Sequence, residues 1–215
     1  MEKIDLKLLK EMKEKGFKEL IPYTHMNPTV RYVFWNRLHA MLLLSKECNA
    51  SKVLDFGCGS GVFLPSLSKN FKEVHGVDID IQSSEYVKNT LKLKNVKLKK
   101  ADGKNTGFED KSFDVVFAAD VLEHFSDIDE PVLEIKRILK DNGCLIISGP
   151  TENINYKLGR IVFGHKKPED HFHPIDKIIK VQEKSFTIDK TMTVPFNLPS
   201  LLSLFKIIRS HPRSN

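Results

Sequence analysis

Apolar residues change their spacing near Ala50, and the change divides the chain in two. Before it, Val30, Phe34, Leu38, Met41 and Leu42 recur at helical intervals and give one apolar face. Asn27 stands where an N-cap is expected and Pro28 at the first helical position, so the spacing predicts a helix opening the stretch NPTVRYVFWNRLHAMLLLSKE. Beyond it, the short runs KVLDF, EVHGVD, VKLKKAD, FDVVFAA and CLIISG read as five strands. Polar or amphipathic stretches of helix length lie between them. The clearest is DEPVLEIKRILKDNG, with Pro131 near its start and Asn142-Gly143 closing it.

Strands alternating with helices imply parallel strands joined by right-handed crossovers, an α/β, doubly wound fold. FDVVFAA and CLIISG are nearly continuous in apolar residues, as central strands covered on both faces should be. After Pro150 the pattern loosens, and TENINYKLGRIVFGHKKPEDHFHP reads as a long loop or lid. KSFTIDKTMTV, with Phe186, Ile188 and Met192 at even spacing, reads as a strand. LPSLLSLFKIIRS is open: a further strand, a packing helix, or an amphipathic helix touching a membrane surface through residues 198–209. The expected organisation is one domain. It comprises a helical cap (1–49), a core (50–149), a lid (150–175) and a C-terminal helix, strand and apolar tail (176–215).

Composition narrows the class. With 215 residues, 40% apolar and 29% charged, the chain matches an ordinary soluble globular protein. No apolar run approaches the ~20 residues that span a bilayer. The N-terminus, which alternates lysine with leucine, lacks a signal peptide's apolar stretch. Cys48, Cys58 and Cys144 are too few and too scattered for a disulfide framework or a zinc site, so free thiols and a cytoplasmic location are expected. The formal charge of +6 suits anionic partners. It is spread thinly, as in KNTLKLKNVKLKK, without an arginine-rich tract, which favours a solvated lysine face over a nucleic-acid site.

Candidate chemistry begins at VLDFGCGSG. Glycines after a first strand let the backbone turn tightly and approach a ligand with no Cβ in the way. The nicotinamide fingerprint G-x-G-x-x-G does not fit, because Val62 stands where its third glycine belongs. A P-loop fails too, since no lysine followed by Ser or Thr comes after the glycines. The spacing is D-x-G-x-G-x-G. The second strand ends in GVDID, placing Asp78 about 20 residues past Gly57, where an acid can accept both hydroxyls of a ribose. The third strand ends in KADG and the fourth in AADVLEH.

These motifs, VLDFGCGSG, GVDID, ADG, FDVVFAADVLEHF and LKDNGCLIISGP, resemble in order and spacing the class I S-adenosylmethionine-dependent methyltransferases. The similarity covers about residues 50–150 and is strongest to the small-molecule group that includes ubiquinone-biosynthesis-type enzymes. It implies a Rossmann-like, mostly parallel seven-stranded sheet with helices on both faces, and S-adenosyl-L-methionine as cofactor, leaving S-adenosyl-L-homocysteine. It also implies that Asp55, Gly57, Cys58, Gly59 and Gly61 form the loop beside the methionine moiety. Asp78 would hold the ribose and Ile79 pack on the adenine. Asp102 and Gly103 would meet the adenine amino group, and Ala119 and Asp120 line the cofactor near its sulfonium. Cys58 reads as a small filler.

Methyl transfer needs alignment and water exclusion more than acid–base groups. A base is needed only where the acceptor atom carries a proton. His124 in VLEHF and His171 and His173 in GHKKPEDHFHP are the candidates, the alternatives being a capped helix start, lid docking or substrate contact. His165, Glu169 and Asp170 beside the His-x-His pair leave a metal open, although no metal is expected. Arg31, Tyr32 and Trp35 either roof an acceptor pocket or belong to the core. N-P-P-Y-like and D-P-P-Y-like tetrapeptides of base-methylating enzymes are absent, so a small-molecule, lipid or sugar acceptor is expected. Rival readings are aminopropyl transfer on the same fold, with Asp127, Asp129 and Glu130 conceivable for a polycation, and a binding module without turnover.

Overall fold

A computed structural model describes residues 1–17, 20–153, 156, 172–195 and 203–213. Three helices come first: α1 (Leu6–Glu14), α2 (Ile21–Thr24) and α3 (Pro28–Ser45). As its sequence predicts, α3 opens on Asn27, whose side-chain oxygen accepts from the Thr29 N–H, with Pro28 at the first helical position. The sheet follows, as β1 (Lys52–Phe56), α4 (Leu64–Asn70), β2 (Glu73–Asp78), α5 (Gln82–Thr90), β3 (Val96–Lys100) and β4 (Phe113–Ala119). After a 3₁₀ turn (Leu122–His124) come α6 (Asp129–Ile138), β5 (Leu139–Pro150), α7 (Ile175–Gln182), β6 (Phe186–Val194) and β7 (Phe205–Pro212).

The seven strands lie in the order β3-β2-β1-β4-β5-β7-β6, with β7 antiparallel to both its neighbours and the other pairings parallel. The five strands read from the sequence are all present. The near-continuous apolar runs are explained by alternation. In β4, Val115 and Phe117 enter the core beneath α3 and α4, while Val116 and Ala118 enter the core beneath α6 and α7. A parallel order reversing at β1 and β4 leaves a crevice at the carboxyl ends of the strands.

Three expectations need correction, and one open alternative is decided. The helix predicted to run to Asn142-Gly143 ends at Ile138. The carbonyls of Arg137 and Ile138 accept from the Lys111 and Ser112 N–H groups, and Leu139 already pairs with Phe113 in the sheet. The cysteines are not all free thiols. Cys48 and Cys144, 96 residues apart, form a disulfide with Cα atoms 6.2 Å apart, tying the end of α3 to β5, while Cys58 stays free and buried. The C-terminal segment from Phe205 is a strand inserted between β5 and β6. A helix on a membrane surface is therefore excluded for Phe205–Arg209 of the proposed 198–209, whose residues up to 202 lie outside the described residues. Among the described residues no helix is long and apolar enough to cross a membrane. Finally, the choice left open for Arg31, Tyr32 and Trp35 between roof and core is decided for Trp35 in favour of the core. Trp35 is buried against Tyr23, with ring centroids 4.8 Å apart. Tyr32 is 44% exposed, and Arg31 donates to the carbonyls of His25 and Met26.

Candidate cofactor and acceptor site

The crevice is a cleft of about 1290 Å³ between the strand ends and the N-terminal helices. Its floor starts at β1. Asp55 is buried in the strand, and the chain then turns back on itself, the Gly57 and Cys58 N–H groups both donating to the Val77 carbonyl at 2.8 and 3.1 Å. Gly57 has φ +74°, and a Cβ there would lie 2.2 Å from Val121 Cγ2, so only glycine permits this approach of the loop to the end of β4. Gly59 donates its N–H to Asp78 Oδ2 at 2.8 Å, which fixes the loop to the tip of β2. Asp78 Oδ1 also accepts from the Asp80 N–H at 3.1 Å, and Ile79 beside it is 69% exposed on the rim.

Ten of the eleven cofactor residues expected from the sequence line this one cleft: Asp55, Gly57, Cys58, Gly59, Asp78, Ile79, Asp102, Gly103, Ala119 and Asp120. The exception is Gly61. It faces α5, where a Cβ would stand 2.8 Å from Ser84 Cα, so its smallness serves helix packing and not the ligand. Cys58 lies against Ser84, its Sγ 3.7 Å from the serine Oγ. Burial and the nearby Asp55 push its thiol well above the usual range, which suits a filler and not a nucleophile.

The charges in the floor are unbalanced. Burial, and next the negative charge of Asp78, push the Asp55 carboxyl up to about 8 against the opposing pull of Arg37. Asp120, at φ +50°, ends β4, accepts from the Ser148 hydroxyl at 3.1 Å and forms an ion pair with Arg37. Arg37 is 5% exposed, donates to the Tyr23 hydroxyl at 2.9 Å and stands over the rings of Phe34 and Phe205 at 5.5 and 5.2 Å. Among the described residues its Nε has no hydrogen-bond partner. Sequence reasoning missed this residue and its aromatic neighbours. The available signal was a cation standing on the apolar side of a helix, three residues after Phe34. Phe205, remote in sequence, gave none.

Of the candidate bases, His124 lines the cleft from the 3₁₀ turn and is exposed. Glu123 beside it is fully buried. His173 does not line the cleft. Its Nε2 lies 3.0 Å from the carbonyl of Ser126, and the Phe172 N–H donates to the Glu123 carbonyl at 2.9 Å, so the segment docks on the turn that carries His124. His171, and His165, Glu169 and Asp170 of the metal alternative, lie outside the described residues. Asp127 and Asp129 accept backbone or lysine donors at the surface, and Glu130 pairs with Lys104 at 2.6 Å.

The donors suit a cationic nucleoside without phosphates. The loop holds no lysine and its one buried carboxylate is short of positive charge, whereas a diphosphate would need the reverse. Residues 54–147 match the protein family described as a methyltransferase domain. An uncharacterized methyltransferase of Bacillus subtilis is 30% identical over 111 residues, half of this chain and 44% of that protein. A ubiquinone biosynthesis O-methyltransferase of Histophilus somni is 26% identical over 189 residues, 82% of this chain and 76% of its own. The chain spans about half the length of most of the curated relatives it matches first, at 44%, 55% and 49%. Two crystal structures share the fold. One, from Pyrococcus horikoshii, has a TM-score of 0.72 at 22% identity, covering 93% of this chain and 99% of that one. The other, an N-methyltransferase from Bradyrhizobium japonicum solved with S-adenosyl-L-homocysteine, has a TM-score of 0.69 at 15% identity, covering 96% and 98%. Over residues 54–147, therefore, the chain is similar to proteins that carry a methyltransferase domain.

Proposed function

We propose that the protein transfers a methyl group from S-adenosylmethionine to a small organic acceptor, and that the acceptor enters between α3 and the turn carrying His124. The observation that carries this reading is the single cleft in which four strand ends and the buried Arg37 meet. Asp78 accepts from the ribose hydroxyls, Ile79 covers the adenine, and Asp102 and Gly103 meet its amino edge. Asp55, once ionised, faces the amino group of the methionine moiety. Arg37 is the buried cation on the cleft and takes the carboxylate, the one anionic group the cofactor has. Asp120 holds that guanidinium in place.

The cofactor supplies a methyl group already activated on sulfur. What this chain adds is alignment and dryness. Tyr23, Phe34 and Phe205 stack edge to face, with centroids 6.0 and 5.1 Å apart, and wall the cleft with apolar surface. That wall suits an apolar or ring-bearing acceptor, whether a free metabolite, a lipid or a sugar conjugate. His124 takes the proton where the acceptor atom bears one.

Calorimetric titration with S-adenosylmethionine and S-adenosylhomocysteine, with NAD as the control, tests the first half. Micromolar binding of both nucleosides and none of NAD is expected. A folded sample that binds neither removes the proposal. Transfer of labelled methyl from the cofactor to fractionated small molecules and lipids then tests the second half.

A further inference from the structure

The excess positive charge is concentrated in one short stretch of the chain, which the fold lays along the edge of the sheet. Residues 88–104 hold seven lysines and one acid, a net of six positive charges that equals the formal excess of the whole chain. Lys88 lies in the last turn of α5, Lys92 and Lys94 in the connection, and Lys97, Lys99 and Lys100 on β3, the edge strand of the sheet. Lys104 follows at the rim, where it lines the cleft. A five-residue strand is about 16 Å long, so the lysines follow the sheet edge from the end of α5 to the cleft mouth, Lys97 and Lys99 on one face of the strand and Lys100 on the other.

Part of this charge is answered locally. Lys97 pairs with Glu73 at 2.7 Å, Lys104 with Glu130 at 2.6 Å, and the Lys99 ammonium donates to the Gly107 carbonyl at 2.7 Å. Among the described residues, Lys88, Lys92, Lys94 and Lys100 have no carboxylate within 4.0 Å. Protection of an open sheet edge explains lysines on β3 itself. It does not explain Lys88, Lys92 and Lys94, which lie off the strand.

We propose that this lysine stripe docks the protein on an anionic lipid surface, with the cleft rim at one end of the contact. The chemistry of the stripe favours lipid headgroups over nucleic acid. All seven cations are lysines, point charges without the planar fork that reads phosphates and bases. Two rings near the stripe already carry a lysine on one face, Lys15 over Tyr86 at 5.4 Å and Lys99 over Phe108 at 4.8 Å. A cluster of four to eight basic residues is the pattern that anionic leaflets attract. The contact is independent of what the cleft binds.

The test is sedimentation of the full chain with vesicles of phosphatidylcholine alone and of phosphatidylcholine with one third phosphatidylglycerol. Binding is expected to the anionic vesicles only, and to collapse between about 0.05 and about 0.5 M salt as the charges are screened. Each lysine near the surface contributes roughly fivefold in affinity. The variant Lys88→Gln/Lys92→Gln/Lys94→Gln/Lys100→Gln should therefore lose several-hundred-fold, with an unchanged melting temperature and an unchanged cofactor titration. The pair Lys92→Gln/Lys94→Gln, confined to the connection, should lose roughly twenty-five-fold and guards against a folding defect in the larger variant. Absence of binding to anionic vesicles overturns the proposal, as does unchanged binding by both variants. Displacement of the protein from the vesicles by equimolar single-stranded RNA assigns the stripe to nucleic acid instead and overturns it equally.

Discussion

The two walls of the cleft are built on opposite plans. The cofactor wall is assembled from consecutive strand ends, and its contacts run through the backbone: Gly59 to Asp78, Gly57 to Val77, Asp120 to Ser148. The other wall, which the proposed function gives to the acceptor, is assembled from side chains far apart in the sequence, Tyr23 and Phe34 from the helices and Phe205 from the start of β7, with Arg37 between the two walls. A wall made by backbone turns tolerates change except at the positions that make the turns. A wall made by packed side chains can be re-cut without moving the sheet. A fold that keeps one ligand and changes the other needs this division, and it says where substitutions will act on cofactor and where on acceptor.

The largest effect should come from Asp78→Ala. It deletes the acceptor for the ribose hydroxyls and also frees the Gly59 N–H that anchors the loop. Hydrogen bonds to a charged group are worth about 1.5–3 kcal/mol each, so affinity for S-adenosylmethionine should fall roughly a hundredfold or more while the melting temperature changes little. If calorimetry shows less than a tenfold loss, the two walls do not divide the work as described.

The next effect is a pH dependence centred on Asp55. Its folded value, pushed up to about 8 by burial, lies above its unfolded 3.8, so the native carboxyl is protonated at neutral pH. The stability this lends the cofactor-free protein is fully present below the unfolded value and is lost as the pH rises through about 8. Binding of a cationic amino group requires the carboxylate and expels the proton. Affinity should then rise by up to tenfold per pH unit between about 6 and 8, and bend over once the ligand's own amino group loses its proton. Asp55→Asn should flatten the rise and remove the matching slope in chemical denaturation. Equal slopes in both proteins would show that Asp55 binds without ionising.

Much of the cofactor wall was legible because backbone turns leave fixed spacings: D-x-G-x-G-x-G, an acid about 20 residues on, then ADG and AADV. The strands were legible because residues buried on both faces leave unbroken apolar runs, as in FDVVFAA. What spacing cannot show is contact between remote segments. The Cys48–Cys144 bond, the capture of the Ile138 carbonyl that ends α6, and the Phe205 ring over Arg37 each depend on where the sheet brings two distant stretches. The packing of Gly61 against Ser84 was hidden for a related reason, since a loop glycine serves a ligand or a neighbouring helix with the same spacing.

Arg37 is where the two walls meet, and its effect should be intermediate. Arg37→Met keeps the bulk between Phe34 and Phe205 but leaves Asp120 without its partner. A loss of about 2 kcal/mol in stability is expected, below the 3–5 kcal/mol of a fully buried pair because Asp120 is partly exposed. Affinity for S-adenosylmethionine should fall roughly ten- to thirtyfold, in line with one charge-assisted contact. Lysine should not restore it, because a point charge neither stacks between the rings nor reaches Asp120 and Tyr23 together. Decarboxylated S-adenosylmethionine gives the sharper reading: the wild-type protein should bind it more weakly than the intact cofactor, and the Arg37→Met variant should not distinguish the two.

The smallest effect on cofactor binding, and the most telling for the acceptor wall, should come from His124→Gln. The exposed side chain lines the cleft, and the segment around Phe172 and His173 docks on the turn through backbone carbonyls that the substitution leaves in place. Titration with S-adenosylmethionine should therefore stay within about twofold of the wild type, since the side chain is exposed and the proposed cofactor contacts do not use it. If the acceptor atom carries a proton, kcat should fall by a factor of about 10² to 10⁴, the usual contribution of a positioned base, and the acidic limb of its pH profile should disappear. An acceptor that presents a free lone pair has no proton to give up, and the same variant should then turn over at the wild-type rate. The ratio of these two readouts, binding held and turnover lost or kept, separates an oxygen or acidic-carbon acceptor from a neutral amine before the acceptor itself is in hand.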